Sequence, residues 1–206
     1  MRKVIFATSN DGKMKEIRDI LRDVDIELLS MKEAGLNLDI EENGVTFEDN
    51  AIIKAREVMR LTNEIVLADD SGLEVDYMNK APGVYSARFM GEDTSYDIKN
   101  QYIIDQLATA ADKERSARFV CVIACAFPNG EVVTRRGTIE GLIAKEPAGS
   151  NGFGYDPIFF VPEYGCTTAQ MSSEIKNAIS HRGKALHVMK EVIKQYLMDL
   201  EGGDLV

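Results

Sequence analysis

Several stretches of this 206-residue chain carry side chains whose types and spacing could do chemistry. Ile65-Val66-Leu67-Ala68-Asp69-Asp70-Ser71-Gly72 reads as a buried apolar strand that stops on two adjacent carboxylates, a hydroxyl and a glycine. In open α/β sheets, ligands sit beyond the carboxyl ends of the strands. Adjacent strand residues point to opposite faces, so one aspartate can face a ligand while the other turns to structure or to a second ligand. A carboxylate there can hold Mg²⁺, which prefers oxygen ligands, or take a proton from water. The competing reading is a strand followed by an Asp-Ser-Gly turn.

Cations are placed to complement such acids. Thr8-Ser9-Asn10-Asp11-Gly12-Lys13 lies at a strand-to-helix turn, where backbone N–H groups and the positive helix end suit an anion. It is not a Walker A loop, which would need glycine at Ala7 and a hydroxyl at Met14. Lys54 lies one helical turn after Asn50. Lys176 to Gly183 puts two cations and His181 at a helix start, where the dipole disfavours Arg182 and favours an anionic or carbonyl-rich ligand. Glu41-Glu42 precedes another helix, and exposed glutamates of this kind are common. In Ser150-Asn151-Gly152-Phe153-Gly154-Tyr155-Asp156-Pro157 the dinucleotide fingerprint fails, because its third glycine is absent and Pro157 leads into a strand. What remains is a loop presenting Phe153 and Tyr155 for stacking and Asp156 as an acceptor for a base N–H. The carboxylates, cations and aromatics together suit a Mg²⁺-dependent site for a nucleoside triphosphate. Lys13, Lys54 and Lys176 are expected at the surface, where lysines add little to stability.

The formal net charge of −10 argues against a nucleic-acid polymer or an anionic membrane as partner, though not against a nucleotide. Cys121, Cys125 and Cys166 lack metal-ligand spacing, and the first two sit in an apolar run as small hydrophobes. With no signal-like start and no long apolar run, a reducing cytoplasm is the expected compartment.

The positioning elements follow from periodicity. Val4–Ala7 and 26–29 read as strands around a helix striped by Ile17, Ile20, Leu21 and Val24, capped by Ser9 or Asn10. Thr46 caps a helix with Phe47, Ala51, Ala55, Val58 and Met59 on one face. After Gly72 a short strand resumes at Leu73-Glu74-Val75. Residues 94–107 read as a helix, and 118–143 as a long hairpin turning at Asn129-Gly130, buried on both faces near its middle. A strand at 158–161, a short helix and a long helix from Ser180 complete the chain, with Gly202-Gly203-Asp204 expected to fray. Strands alternating with helices, joined to a hairpin, give an α/β fold with a mixed sheet.

The motifs resemble a known family. Thr8 to Lys13, Thr46 to Ala51, Ala68 to Leu73, Ala81-Pro82-Gly83-Val84-Tyr85-Ser86-Ala87-Arg88, Phe153 to Pro157 and Ser180-His181-Arg182 occur in family order. The chain is similar to the inosine/xanthosine triphosphate pyrophosphatases, which act on non-canonical purine nucleoside triphosphates. The resemblance runs from about Lys3 to the last helix. It implies one domain over residues 1–206: an elongated mixed β-sheet flanked by helices, two lobes with a central active-site cleft, assembled as a homodimer. It implies hydrolysis of ITP, dITP and XTP to the monophosphate and pyrophosphate with Mg²⁺. By position, Asp70 would be the general base, and Glu41 with Asp70 would hold the metal, with Glu42 an alternative to Glu41. Thr8, Ser9, Asn10, Asp11, Gly12, Lys13, Ser71 and Lys176 would contact the nucleotide, and Lys54 its phosphates. Phe153, Gly154, Tyr155, Asp156, His181 and Arg182 would hold the base. Ser9 departs from the family, where many relatives carry glycine. A phosphatase releasing orthophosphate and a non-catalytic nucleotide sensor are the alternatives; the first needs Asp-x-Asp after a strand, which Asp69-Asp70-Ser71 does not supply.

Overall fold

The computed structural model describes residues 2–203, with side chains as far as residue 200. Seven strands, β1 (Arg2–Phe6), β2 (Ile26–Ser30), β3 (Ile65–Val75), β4 (Ser116–Ala126), β5 (Val132–Ile143), β6 (Phe159–Val161) and β7 (Cys166–Thr167), form one sheet in the order β2-β1-β3-β4-β5-β6-β7. β1 pairs in parallel with β2 and β3, whereas β6 is antiparallel to β5 and β7, so the sheet is mixed as expected. The helices are α1 (Asp11–Leu21), α2 (Phe47–Thr62), α3 (Tyr96–Gln106), α4 (Ser173–Ile179) and α5 (His181–Gly203).

The chain divides into two compact units. The first gathers everything up to Asp70, Val122–Arg136 and α5 from Arg182 onward. The inner parts of β1 and β3 are apolar on both faces, as strands covered by helices must be, while the edge strand β2 is half-buried to exposed. Val4, Phe6, Val66 and Leu67 are buried, with Ile17 of α1, Ala51, Ala55 and Val58 of α2 and Leu186, Met189 and Ile193 of α5. Each large apolar side chain so buried contributes roughly 1.5–3 kcal/mol. α1 and α2 start where their caps dictate. The Asn10 side chain accepts the Lys13 N–H, and that of Thr46 accepts the Asp49 N–H.

The second unit gathers Ser71–Cys121 and Gly137–His181. Its core joins Leu73 and Val75 of β3, Ile103 of α3 with Leu107 just past its end, Phe159 of β6 and Ile158. Three expectations change. β3 does not stop at the acids but runs on to Val75, because Leu73 and Val75 keep a period-two burial that continues the strand through Gly72. The hairpin is asymmetric: β4 is buried along nearly all its length, while β5 is mostly half-buried. The last helix continues through Gly202 and Gly203; Asp204 lies outside the described residues. Among the described residues no helix is long and apolar enough to cross a membrane.

Candidate active site

In the first unit, β3 carries its two aspartates as mid-strand neighbours, and their partners differ as a period of two requires. The Asp69 Oδ1 accepts from Lys13 Nζ at 3.0 Å and Asp69 Oδ2 from Arg182 Nη2 at 3.2 Å. Arg182 Nη1 donates to Glu16 Oε2 at 2.5 Å. Burial alone would raise the Asp69 pKa, but the charges of Lys13, Arg182 and Lys54 outweigh it and hold the carboxyl below its ordinary range. Asp69 is therefore a charged anchor that ties Lys13 to the strand and to α5.

Asp70 has a different environment. Its Oδ2 accepts from Asn50 Nδ2 at 3.1 Å. The Asn50 Oδ1 in turn accepts the Gly44 N–H at 2.8 Å, so the amide's orientation is fixed by the backbone. Gly44 must lack a side chain there, since a Cβ would fall 2.6 Å from Asn50 Oδ1. Burial pushes the Asp70 carboxyl up to about 6; Lys54 opposes this and Glu42 adds to it. A carboxyl with that pKa is poised to exchange a proton near neutrality. Lys54 Nζ donates to Glu42 Oε1 at 2.9 Å, and its pKa is raised: burial lowers it, but Asp69, Asp70 and Glu42 prevail.

The structure thus puts Glu42 beside Lys54 and within the electrostatic reach of Asp70, while Glu41 is exposed. A buried carboxyl whose charge is opposed by burial and by a second carboxylate is relieved by a divalent cation, so Asp70 and Glu42 fit Mg²⁺. No cluster of three or more His, Cys, Asp or Glu side chains able to hold a metal ion occurs among the described residues. At the turn before α1, Thr8 Oγ1 accepts the Asn10 N–H at 3.1 Å, and Ser9, Asn10 and Asp11 are exposed.

In the second unit, Gly152 to Asp156 form a loop closed on the Asp156 carboxylate. Asp156 Oδ2 accepts the Phe153 N–H at 2.8 Å and Lys176 Nζ at 2.6 Å, and Oδ1 accepts from Thr168 Oγ1 at 2.8 Å. A Cβ on Gly152, at φ +75°, would fall 2.2 Å from Asp156 Oδ2. Asp156, read from the sequence as an acceptor for the base, is instead the loop's internal clasp. The Lys176 ammonium lies 5.1 Å from the Phe153 ring centroid, and the Tyr155 hydroxyl donates to the Ser86 carbonyl at 2.7 Å. His181 stacks on Phe119, centroids 4.8 Å apart. Ser71 is half-buried on β3.

Lys54, Lys176 and most of Lys13 are removed from water and ion-paired, not the solvated lysines the sequence suggested. Arg182 is 2% exposed, and its cation at a helix start answers Asp69 and Glu16 across the fold. Reasoning from spacing missed Asn50, Glu16 and Thr168 as supports. Only the position of Asn50, one turn before Lys54 on the buried face of α2, hinted at its part.

The chain is thus a mixed α/β protein with two buried aspartates on a central strand, Asp69 paired with Lys13 of α1 and Asp70 beside Lys54 of α2. A profile of the Ham1 family matches residues 4–192. The chain belongs to the Ham1 family. It is 47% identical over 203 residues to the dITP/XTP pyrophosphatase of Clostridium perfringens, covering 96% of this chain and all of that one. It is 46% identical over 200 residues to the dITP/XTP pyrophosphatase of Bacillus anthracis, covering 96% and 99%. Among solved structures, a HAM1 protein from Coxiella burnetii superposes with a TM-score of 0.86 at 43% identity, over 95% of this chain and all of that one. The Staphylococcus aureus Ham1 protein gives 0.85 at 39% identity with the same coverage.

Proposed function

We propose that this chain hydrolyses dITP, XTP and ITP to the monophosphate and pyrophosphate. The observation that carries the reading is Asp70, a buried carboxyl raised to about 6 and oriented by Asn50 beside Lys54. The relatives at 46–47% identity are named dITP/XTP pyrophosphatases, which supports the first two of these substrates.

Asp70 takes a proton from the water that attacks the α-phosphorus in line. Lys54 and Lys13, with the turn from Thr8 to Lys13, neutralise charge on the phosphate oxygens, and Ser71 contacts the nucleotide. Mg²⁺, held by Asp70 and Glu42, would supply further neutralisation of the phosphate charge and help pyrophosphate to leave. Phe153 stacks on the base, with Gly154, Tyr155, His181 and Lys176 around it. A site that aims donors at O6 leaves them unpaired against an adenine amino group, and such sites discriminate by about 10⁴ or more. The enzyme works on the cytoplasmic nucleotide pool and acts as a homodimer. Tyr85, Met90, Ile98 and Tyr102, on α3 and the segment before it, are exposed apolar side chains that this assembly would cover.

The test is a panel of dITP, XTP, ITP, dATP and dGTP with Mg²⁺, separating pyrophosphate from orthophosphate. Pyrophosphate from the first three, at kcat/KM far above dATP and dGTP, is expected. Orthophosphate as the product, or no turnover of any of them, overturns the reading. Sedimentation of Ile98→Glu, expected to be monomeric beside a dimeric parent, tests the assembly.

A further inference from the structure

α3 lies outside every motif that suggested chemistry, yet it reaches the loop that the proposed function assigns to the base. Asn100 is 2% exposed and its Nδ2 donates to the Gly154 carbonyl at 3.1 Å. Its Oδ1 is buried and has no hydrogen-bond partner among the described residues. An unpaired buried acceptor costs desolvation free energy that an apolar side chain of the same shape would avoid. The amide therefore lowers stability at its oxygen while holding one carbonyl of the loop at its nitrogen. That carbonyl needs holding. Gly154 sits at φ +69°, Gly152 at +75° and Gly149 at +88°, so the backbone of this loop is soft on both sides of Phe153. Other ties hold the turn: Asp156 accepts the Phe153 N–H, the Asp156 N–H donates to the Phe153 carbonyl at 3.3 Å, and the Tyr155 hydroxyl donates to the Ser86 carbonyl. None of these bonds engages the Gly154 carbonyl, which Asn100 holds; the neighbours of Asn100 reinforce that hold. Lys99 donates to the Ala87 carbonyl at 2.7 Å, and the Tyr96 ring stands edge-on to Tyr155 at 5.1 Å.

We propose that Asn100 is a positioning residue for nucleobase selection: by pinning the Gly154 carbonyl it fixes the peptide that follows Phe153 and so the register of the base between the loop and its hydrogen-bonding groups. The inference rests on the assignment of residues 153–156 to the base. Small displacements of a positioning group are costly, up to about 10² in rate for 1 Å. Asn100 is not among the residues assigned to the phosphates or to the attacking water, so its loss should appear in KM and in preference, not in the chemical step.

The test uses Asn100→Ala and Asn100→Asp, the second isosteric but without the donor to Gly154. Kinetics with dITP and dATP are read together with a probe independent of turnover. The chain contains no tryptophan, so Phe153→Trp places a single fluorophore in the loop, alone or combined with either substitution. The expected result has three parts. The nanosecond anisotropy of Trp at 153 falls in the combined variants. KM for dITP rises about tenfold with kcat within about threefold. The dITP-to-dATP ratio of kcat/KM shrinks about fivefold or more. Unchanged anisotropy and unchanged kinetics overturn the proposal. So does a fall in kcat at constant KM and constant preference, which is the mark of a merely less stable protein. If anisotropy falls as expected but the parent turns over none of the nucleotides, the positioning role stands and the assigned function fails.

Discussion

Asp70 and Asp156 are both aspartates almost excluded from water, yet the fold treats them in opposite ways. Around Asp156 the second unit places three donors, from the Phe153 backbone, Lys176 and Thr168, which use both carboxylate oxygens. That carboxylate is spent on holding a glycine-rich loop in one shape. Around Asp70 the first unit places the Asn50 amide, the charges of Lys54 and Glu42, and burial that opposes the carboxylate's own charge. Asp69, its neighbour, follows the Asp156 pattern with Lys13 and Arg182. Burial is common to all three, so partners decide the role. A carboxylate clasped by cations becomes architecture, and one whose charge is opposed by burial and by a neighbouring carboxylate is suited to bind a cation or move a proton.

Removing the reactive member should have the largest effect. Asp70→Asn is expected to lower kcat for dITP by about 10² or more, the usual scale for a positioned acid-base group. Retention of most of the activity would transfer the proton to another carboxyl and collapse the contrast drawn here.

Next comes the architectural side. Arg182→Ala leaves Asp69 and Glu16 as buried charges without their guanidinium, and breaking a buried pair in this way costs about 3–5 kcal/mol. Chemical denaturation should show that loss. A variant as stable as the parent would show that the Glu16–Arg182–Asp69 network is dispensable and free Arg182 for a direct role at the base.

The same comparison predicts that Asp70→Asn stabilises the fold. Its carboxyl titrates at about 6 in the folded chain against an ordinary 3.8. The folded state thus binds the proton more tightly than the unfolded one, and stability falls as pH rises from about 4 to about 6. Asp70→Asn lacks this loss. In metal-free buffer the variant should exceed the parent by roughly 2–3 kcal/mol above pH 6, with the gap closing towards pH 4. A variant less stable than the parent at pH 7.5 would contradict the sign.

The smallest shift lies on the pH axis and concerns the neighbours that tune Asp70. Lys54 lowers its pKa and Glu42 raises it. The acid limb of kcat/KM should therefore move to higher pH in Lys54→Met and to lower pH in Glu42→Gln, by about one unit or less. Glu41→Gln, at an exposed position, should leave the limb in place. Movement of the limb in Glu41→Gln but not in Glu42→Gln would exchange the two glutamates.

The sequence by itself determined the alternation of strands and helices, because apolar periods of two and 3.6 are local properties of the chain. Asn10, Thr46 and Asn129-Gly130 punctuated it for the same reason: a cap or a turn is satisfied by residues at most four positions away. It also determined that Asp70 lies on a buried strand, because the apolar run leading to it is a local property. Only the tertiary structure decided what each charge does. Lys13 and Asp69 are 56 positions apart and Glu16 and Arg182 are 166 apart, and no local pattern encodes such pairings. The choice of Glu42 over Glu41 beside Lys54 depends on the path of an irregular segment that lacks periodicity. The hold of Asn100 on Gly154 is invisible in sequence as well, since one helix residue looks like any other until the fold shows which loop it meets. Charges separated by long stretches of chain have no energetic preference for one another until packing removes the water between them, so their partners are fixed last, by the fold as a whole.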